Sequence, residues 1–279
     1  MNYRDGILYL IGDDAHSILM LDKDYNEIST LQLFEYPGKR IPKSIKSDTE
    51  ASAFITLRGN DYLLIVGSAS REQREVVILI PLGESQLPKT QASTVSVKTF
   101  IDRLRLQGIV ELNIEGATTI PNMLVLSNRG NTKNITNHII LTTADFWEQQ
   151  DRANITILPI EIGVPTEDIL GISEICYENN TDTFLISFSS ENTDNAYDDG
   201  TIGTSYLGWI GNFTKKINSP QLTVDHIVNL VDVHPEFAGE KIEGLCVESS
   251  TTQGMVIHLV SDNDNGQSKL FKVSVKISE

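Results

Sequence analysis

The chain has 279 residues, 40% of them apolar, with 22 Lys and Arg against 38 Asp and Glu, a formal net charge of −16. That length suits one large all-β domain or two ordinary ones, and the charge excludes a duplex DNA or RNA partner, whose phosphates need a basic footprint. No apolar run approaches the ~18 residues of a membrane span, and residues 1–6 lack the apolar core of a secretion signal, so a soluble cytoplasmic monomer with no membrane partner is expected.

In chain order, residues 7–11 read as an apolar strand ended by Gly12-Asp13-Asp14, followed by strands over 17–22 and 28–33 around the turn Lys23-Asp24-Tyr25-Asn26. Short apolar runs bounded by Gly, Asp and Asn are the strand signal. A second unit begins at Ser47, with strands over 50–56, 62–66, 76–80 and 94–97, a long Pro/Gly/Ser loop over 81–93 and a helical turn over 100–107. The third runs 114–120, 123–127, 138–142 and 155–160, with a short helix over 143–149 that Thr143 or Asp145 would cap. The fourth runs 171–177, 183–188, 206–210 and 224–230, interrupted by a polar insertion holding Asp194, Asp198 and Asp199. The fifth runs 242–247, 255–260 and 270–275.

Such repeated units of three or four strands, with no linker between them, are the signature of propeller blades. The expected fold is all-β: one β-propeller domain over residues 1–279, five blades by count, four-stranded and antiparallel around a central channel. The long connections leave room for a sixth blade. Unit one lacks an inner strand and unit five an outer one.

A carboxylate recurs at the start of the inner strands. It is Glu243 in Lys241-Ile242-Glu243-Gly244, Glu115 in Asn113-Ile114-Glu115-Gly116, Glu174 in Ile172-Ser173-Glu174-Ile175 and Glu50 in Asp48-Thr49-Glu50-Ala51. A carboxylate on so apolar a strand is costly to bury unless paired or bound. Starts of first strands and ends of second strands meet at one mouth of a propeller channel, which adds Asp13, Asp14, Asn128, Arg129 and Asp262. Clustered carboxylates require protons or a cation. The oxygen-rich set Glu50, Glu115, Glu174, Glu243, Asn128 and Asp262 suits Ca²⁺. The alternative is that each Glu bonds a neighbouring blade's amides or an Arg and locks the blades together.

Arg40, Lys43, Lys46, Arg129 and Lys241 flank the same mouth and suit a small anionic substrate or ligand. The tract from Ser261 to Gly266 resembles part of a Ca²⁺ loop but lacks the terminal Glu, and reads as a turn. No GxSxG elbow is present and the 5 histidines do not repeat with the blades. Cys176 and Cys246 read as small buried hydrophobes rather than a disulfide, and no Cys/His cluster supports zinc.

Gly12-Asp13-Asp14, Glu115-Gly116, Glu243-Gly244 and Asn128-Arg129-Gly130 together resemble the phytase-like β-propeller superfamily. That superfamily includes the "esterase-like activity of phytase" domains, and the likeness is nearest to its uncharacterised bacterial branch. The resemblance implies a propeller with an acidic channel and Ca²⁺. The functional expectation is a metal-assisted hydrolase of a small anionic ester or phosphoester. The ion would polarise the ester oxygen, Arg129 would hold the anion, and Glu115 or Glu243 would be the base. The alternative is a non-catalytic propeller that binds a ligand or protein on its face.

Overall fold

The computed structural model describes residues 1–38, 40–88, 92–163, 169–191, 202–263 and 267–276. Asp194, Asp198 and Asp199 of the polar insertion, and Asp264 to Gly266 of the acidic tract, lie outside them. The strands form five sheets, one per blade of a five-bladed β-propeller. Blade 1 holds β1 (Asn2–Arg4), β2 (Ile7–Leu10), β3 (Ser17–Asp22) and β4 (Glu27–Gln32). Blade 2 holds β5 (Thr49–Leu57), β6 (Asn60–Gly67), β7 (Val76–Pro81) and β8 (Ser93–Ser96). Helix α1 (Lys98–Leu106) leads to blade 3, with β9 (Ile114–Ile120), β10 (Met123–Asn128), β11 (Asn137–Thr142) and β12 (Thr156–Glu161).

Blade 4 holds β13 (Leu170–Glu178), β14 (Thr183–Glu191) and β15 (Ile202–Gly211). Short helix α2 (Phe213–Lys216) and β16 (Leu222–Thr223) follow, and β16 adds a parallel edge to blade 3 beside β12. The outer strand of blade 4 is β17 (His226–Asn229), followed by α3 (Leu230–Val233). Blade 5 has β18 (Ile242–Thr251), β19 (Gly254–Asp262) and β20 (Ser268–Lys276), and no outer strand among the described residues.

The ring form follows from strands that are apolar on both faces. Side chains alternate across a sheet, and each blade has a neighbour on either side. Leu124 and Leu126 of β10 pack toward blade 2 while Val125 between them packs toward blade 4. Leu64 and Val66 of β6 face blade 3 while Leu63 and Ile65 face blade 1. Five apolar clusters result, one in each seam between blades.

The seam between blades 5 and 1 closes the ring with the smallest cluster, Met1, Leu8, Leu21 and Cys246. A polar network supplements it. Buried His258 of β19 lies between Tyr25 Oη of blade 1 and Glu248 of β18, each at 2.9 Å, and Tyr3 of β1 stacks on its ring. Lys272 of β20 holds the same carboxylate at 2.6 Å.

Two expectations change. Unit one has its own inner strand: β1 pairs with β2 through the two-residue turn Asp5-Gly6, whose φ angles are +50° and +87°. Asp-Gly with both φ positive is the tight turn that twisted hairpins favour; only the polarity of Asn2, Tyr3 and Arg4 hides the strand. The expected helix over 143–149 is a single 3₁₀ turn, Phe146–Glu148, and Asp145 makes no side-chain cap.

Candidate functional site

Four inner strands carry a bulge near their start. The pairing slips between Thr49 and Ala51, Ile114 and Gly116, and Ile242 and Gly244, so Glu50, Glu115 and Glu243 are the extra residues. A bulged residue leaves the ladder and its side chain is re-aimed. Here the three carboxyls turn to one mouth of the channel. Glu50 lies partly buried in the combined field of Asp48, Asp13, Glu115 and Glu243. Burial first, and those charges next, hold its carboxyl well above the ordinary range.

Glu174 does not join them. In β13 the slip falls between Ile172 and Glu174, so the bulged residue is Ser173. Glu174 takes the register of Ala51, Gly116 and Gly244 and lies in the channel wall, 1% exposed, with the Met1 α-amine 2.9 Å from Oε2. Burial lifts the Glu174 carboxyl to about 7 despite the ammonium. Burial likewise opposes charge on the amine, but Glu174 reverses this and raises it. Matching the repeats on the isoleucine before the acid, rather than on the acid, would have set Ser173 beside Glu115 and Glu243.

The glycine after two of these acids has a cause as well. A Cβ on Gly116 would stand 2.9 Å from Glu174 Oε1, and one on Gly244 would stand 2.9 Å from the Met1 Cβ. Glu-Gly is thus a bulged acid followed by the point where the next blade comes close.

Of the other expected ligands, buried Asn128 faces inward. Its Oδ1 accepts from the Asn113 amide at 2.8 Å and its Nδ2 donates to the Arg129 carbonyl at 3.3 Å, which pins the start of β9. Asp262 lines the mouth with Asp13, Glu50 and Glu243.

Most of the mouth's positive groups are committed to partners within the fold. Lys46 bonds Asp13 and lies 2.7 Å from Asp48 Oδ1. Burial opposes its charge, but Asp13, Asp48 and Glu50 more than reverse this and hold it protonated. Asp48, in the left-handed region at φ +53°, also accepts from Ser68 Oγ at 2.5 Å and from the buried Arg74 guanidinium. Lys241 pairs with Glu243 at 2.8 Å. Arg129 lies across Gly171, where a Cβ would stand 2.6 Å from its Nε. Its guanidinium donates to the Ile172 carbonyl at 3.3 Å, Ser173 Oγ at 3.2 Å and Ser189 Oγ at 3.0 Å.

The Glu50 carboxyl has no such partner. Among the described residues no hydrogen bond reaches its carboxyl, yet one oxygen each from Asp13, Asp48 and Glu50 lie within 4.8 Å of one another. Such a carboxyl can hold a proton or a cation. Beside it is a cavity of about 250 Å³, lined by Asp13, Glu50, Glu243 and Asp262 together with Leu10, Ile11, Leu19 and Val260. A second cavity of about 260 Å³ opens at the opposite mouth, lined in part by the unpaired Cys176 and Cys246. Burial pushes the Cys176 thiol up to about 12, which leaves it a poor nucleophile.

No curated protein matches the chain. Among solved structures it is similar to the first two extracellular domains of Drosophila Semaphorin 1b, at 9% identity and a TM-score of 0.41, covering 98% of this chain and 78% of that one. It is also similar to the β-propeller domain of Cps50 (Swd1) from Myceliophteria thermophila, at 12% identity and a TM-score of 0.37, covering 96% and 68%. A phytase-like assignment does not follow from these likenesses. No described helix is long and apolar enough to cross a membrane. The match that spans the chain is to a family of unknown function, DUF6929, over residues 1–275, and the protein belongs to that family.

Proposed function

We propose that this propeller binds a small cation at the channel mouth, and that Glu50 is the carboxyl that receives it. The observation that carries the reading is Glu50 itself, without a hydrogen bond and surrounded by Asp13, Asp48, Glu115 and Glu243. The cation has two possible sources, a divalent metal ion or the ammonium of an organic ligand. Hard carboxylate oxygens suit Ca²⁺, which takes about six to eight of them. Asp48, however, already has Lys46 on one oxygen and Ser68 and Arg74 on the other. Within the Asp13, Asp48 and Glu50 cluster the donors left to a metal are Glu50 and the second oxygen of Asp13, with water for the rest. An ammonium needs fewer acceptors, and the apolar part of the lining, Leu10, Ile11, Leu19 and Val260, suits a short carbon chain attached to it.

The test is thermal melting with CaCl₂, MgCl₂ and n-butylammonium chloride, each against NaCl of equal ionic strength. A cation bound only to the folded chain, at about 100 times its Kd, adds ~2.7 kcal/mol, roughly 5 °C for a domain of this size. Glu50→Gln abolishes the rise. Which salt raises the melting point distinguishes metal from ammonium. A melting point that moves with neither sinks the proposal.

A hydrolytic role draws support from Glu243, whose partly buried carboxyl is raised above the ordinary range by desolvation, against the opposing pull of Lys241 and Arg129. A panel of phosphomonoesters and carboxyl esters tests it, with Glu243→Gln and Glu115→Gln as controls. Turnover that survives both substitutions removes them as the base.

A further inference from the structure

The cavity beside Glu50 reaches well beyond the three clustered carboxyls, and strand order sets its course. Glu50 of β5 and Glu243 of β18 line it from inner strands, Leu10 and Val260 from the second strands of blades 1 and 5, and Leu19 and Ser268 from their third strands. Neighbouring strands lie about 4.8 Å apart, so the lining extends roughly 10 Å outward along the closing seam.

Its chemistry changes along that course. At the inner strands stand Glu50 and Glu243, joined by Asp13 from the turn after β2. Leu10 and Leu19 are register partners, and with Val260 they pack on the small apolar cluster of the seam. Polarity returns on β19 and β20, where Asp262 and Ser268 are register partners and both line the cavity. Val260 and Asp262, two residues apart, share a face of β19.

The lining carries the carboxyls of Asp13, Glu50, Glu243 and Asp262 and, among the described residues, no lysine, arginine or histidine side chain. Lys46 holds Asp13 and Lys241 holds Glu243 from outside it. Arg40 stands in the field of Asp262 but is bound to Asp14. A metal ion at Glu50 leaves the apolar stretch and Asp262 unused, and a monoamine leaves Asp262 unused. A dication also offsets more of the repulsion in a chain of formal charge −16.

We infer that the cavity takes a linear α,ω-diamine, with one ammonium at Glu50 and Asp13, the other at Asp262 and Ser268, and the alkyl chain on Leu10, Leu19 and Val260. A span of roughly 10 Å suits a spacer of about five or six carbons. The inference rests on the cation reading of the mouth and names its ligand.

The test is calorimetric titration of the whole chain at pH 7.5, where alkylamines are protonated as lysine is. The probes are 1,5-diaminopentane, n-pentylamine and 1,3-diaminopropane, each against NaCl of equal ionic strength. The short diamine carries the same charge as the long one and separates length from charge. 1,5-Diaminopentane binds at least about tenfold more tightly than either of the others, a difference of ~1.4 kcal/mol. Asp262→Asn brings it within about twofold of n-pentylamine, whose own binding shows that the variant keeps its fold. Glu50→Gln weakens all the probes.

Equal affinity for 1,5-diaminopentane and n-pentylamine, or for the long and short diamines, overturns the diamine site and leaves the mouth reading in place. An Asp262→Asn variant that keeps the parent's preference does the same. Ca²⁺ that raises the melting point while no amine binds also overturns the diamine and gives the mouth to a metal. If Glu50→Gln weakens no probe, the mouth reading falls and takes the diamine with it.

Discussion

Replacing Lys46 by Met tests the charge accounting at the mouth directly. Lys46 is 8% exposed, bonds Asp13 and lies 2.7 Å from Asp48 Oδ1. Met keeps most of the side-chain volume and removes the charge. Breaking a buried pair by removing one partner costs about 3–5 kcal/mol. Arg74 and Ser68 remain on Asp48 and Asp13 is partly exposed, so the lower end, ~3 kcal/mol, is expected. At a urea dependence of ~3 kcal/mol per M, the midpoint falls by roughly 1 M at pH 7.5. The loss shrinks as pH falls, because Glu50, already held above the ordinary range, takes up a proton and relieves the cluster. Without Lys46 the three carboxylates also lack the ammonium that competes with a metal. Ca²⁺ binding then tightens by about tenfold or more, ~1.4 kcal/mol, modest beside the ~4 kcal/mol of a unit charge pair about 4 Å apart near a protein surface. The assay is urea unfolding at pH 5 and 7.5 with and without CaCl₂, with calorimetric titration of the ion. A variant as stable as the parent at pH 7.5, or one that Ca²⁺ does not restore, shows that Lys46 is not the counter-charge of this site.

Two further outcomes follow from the same geometry. Gly171→Ala drives a Cβ into the Arg129 guanidinium, 2.6 Å from Nε; the overpacking costs about 1–3 kcal/mol in thermal unfolding, and an unchanged melting point contradicts the packing described. For Glu50 the folded carboxyl is raised above its unfolded value, so the folded state binds more protons and stability falls as pH rises through the folded value. Glu50→Gln therefore unfolds at a higher temperature than the parent at pH 8 and matches it near pH 4; the reverse order across pH means that Glu50 is stably ionised.

The blades were legible because each strand must satisfy two neighbours. Leu124, Val125 and Leu126 are apolar in succession because the even and odd positions enter different seams, and such runs stand out in a sequence. β1 was not legible by that signal, since Asn2, Tyr3 and Arg4 are polar and the strand depends on its turn and on Tyr9, Leu8 and Ile7 opposite. Three of the four recurring acids do share a bulge and meet. Glu174 deceives because it lies one residue along, and only the pairing of β13 with β14 shows which side of the slip it is on. The counter-charges were hidden for another reason. Lys46 finds Asp13 across 33 residues, and nothing periodic announces a contact of that range.

The bulges also explain why the acid surplus sits where it does. A first strand must leave the channel wall to meet the chain arriving from the preceding blade. In three blades this junction is closed by the same bond, in which the carbonyls of Asp48, Asn113 and Lys241 accept from the amides of Ser68, Arg129 and Asp262 at 2.9 Å. The bulge lies within the next two residues, so whatever side chain it carries is thrown toward the axis. Ser173 shows that a neutral residue serves the junction equally well. Glutamate at the other three positions is therefore not demanded by the fold. Its cost is visible in the raised carboxyls of Glu50 and Glu243, a burden that the proposed cation would relieve. The cavity it faces draws its walls from blades 1, 2 and 5 and so spans the closing seam, the one with the fewest buried apolar side chains. The proposed ligand would bridge the two ends of the ring there and add contacts where the core supplies least.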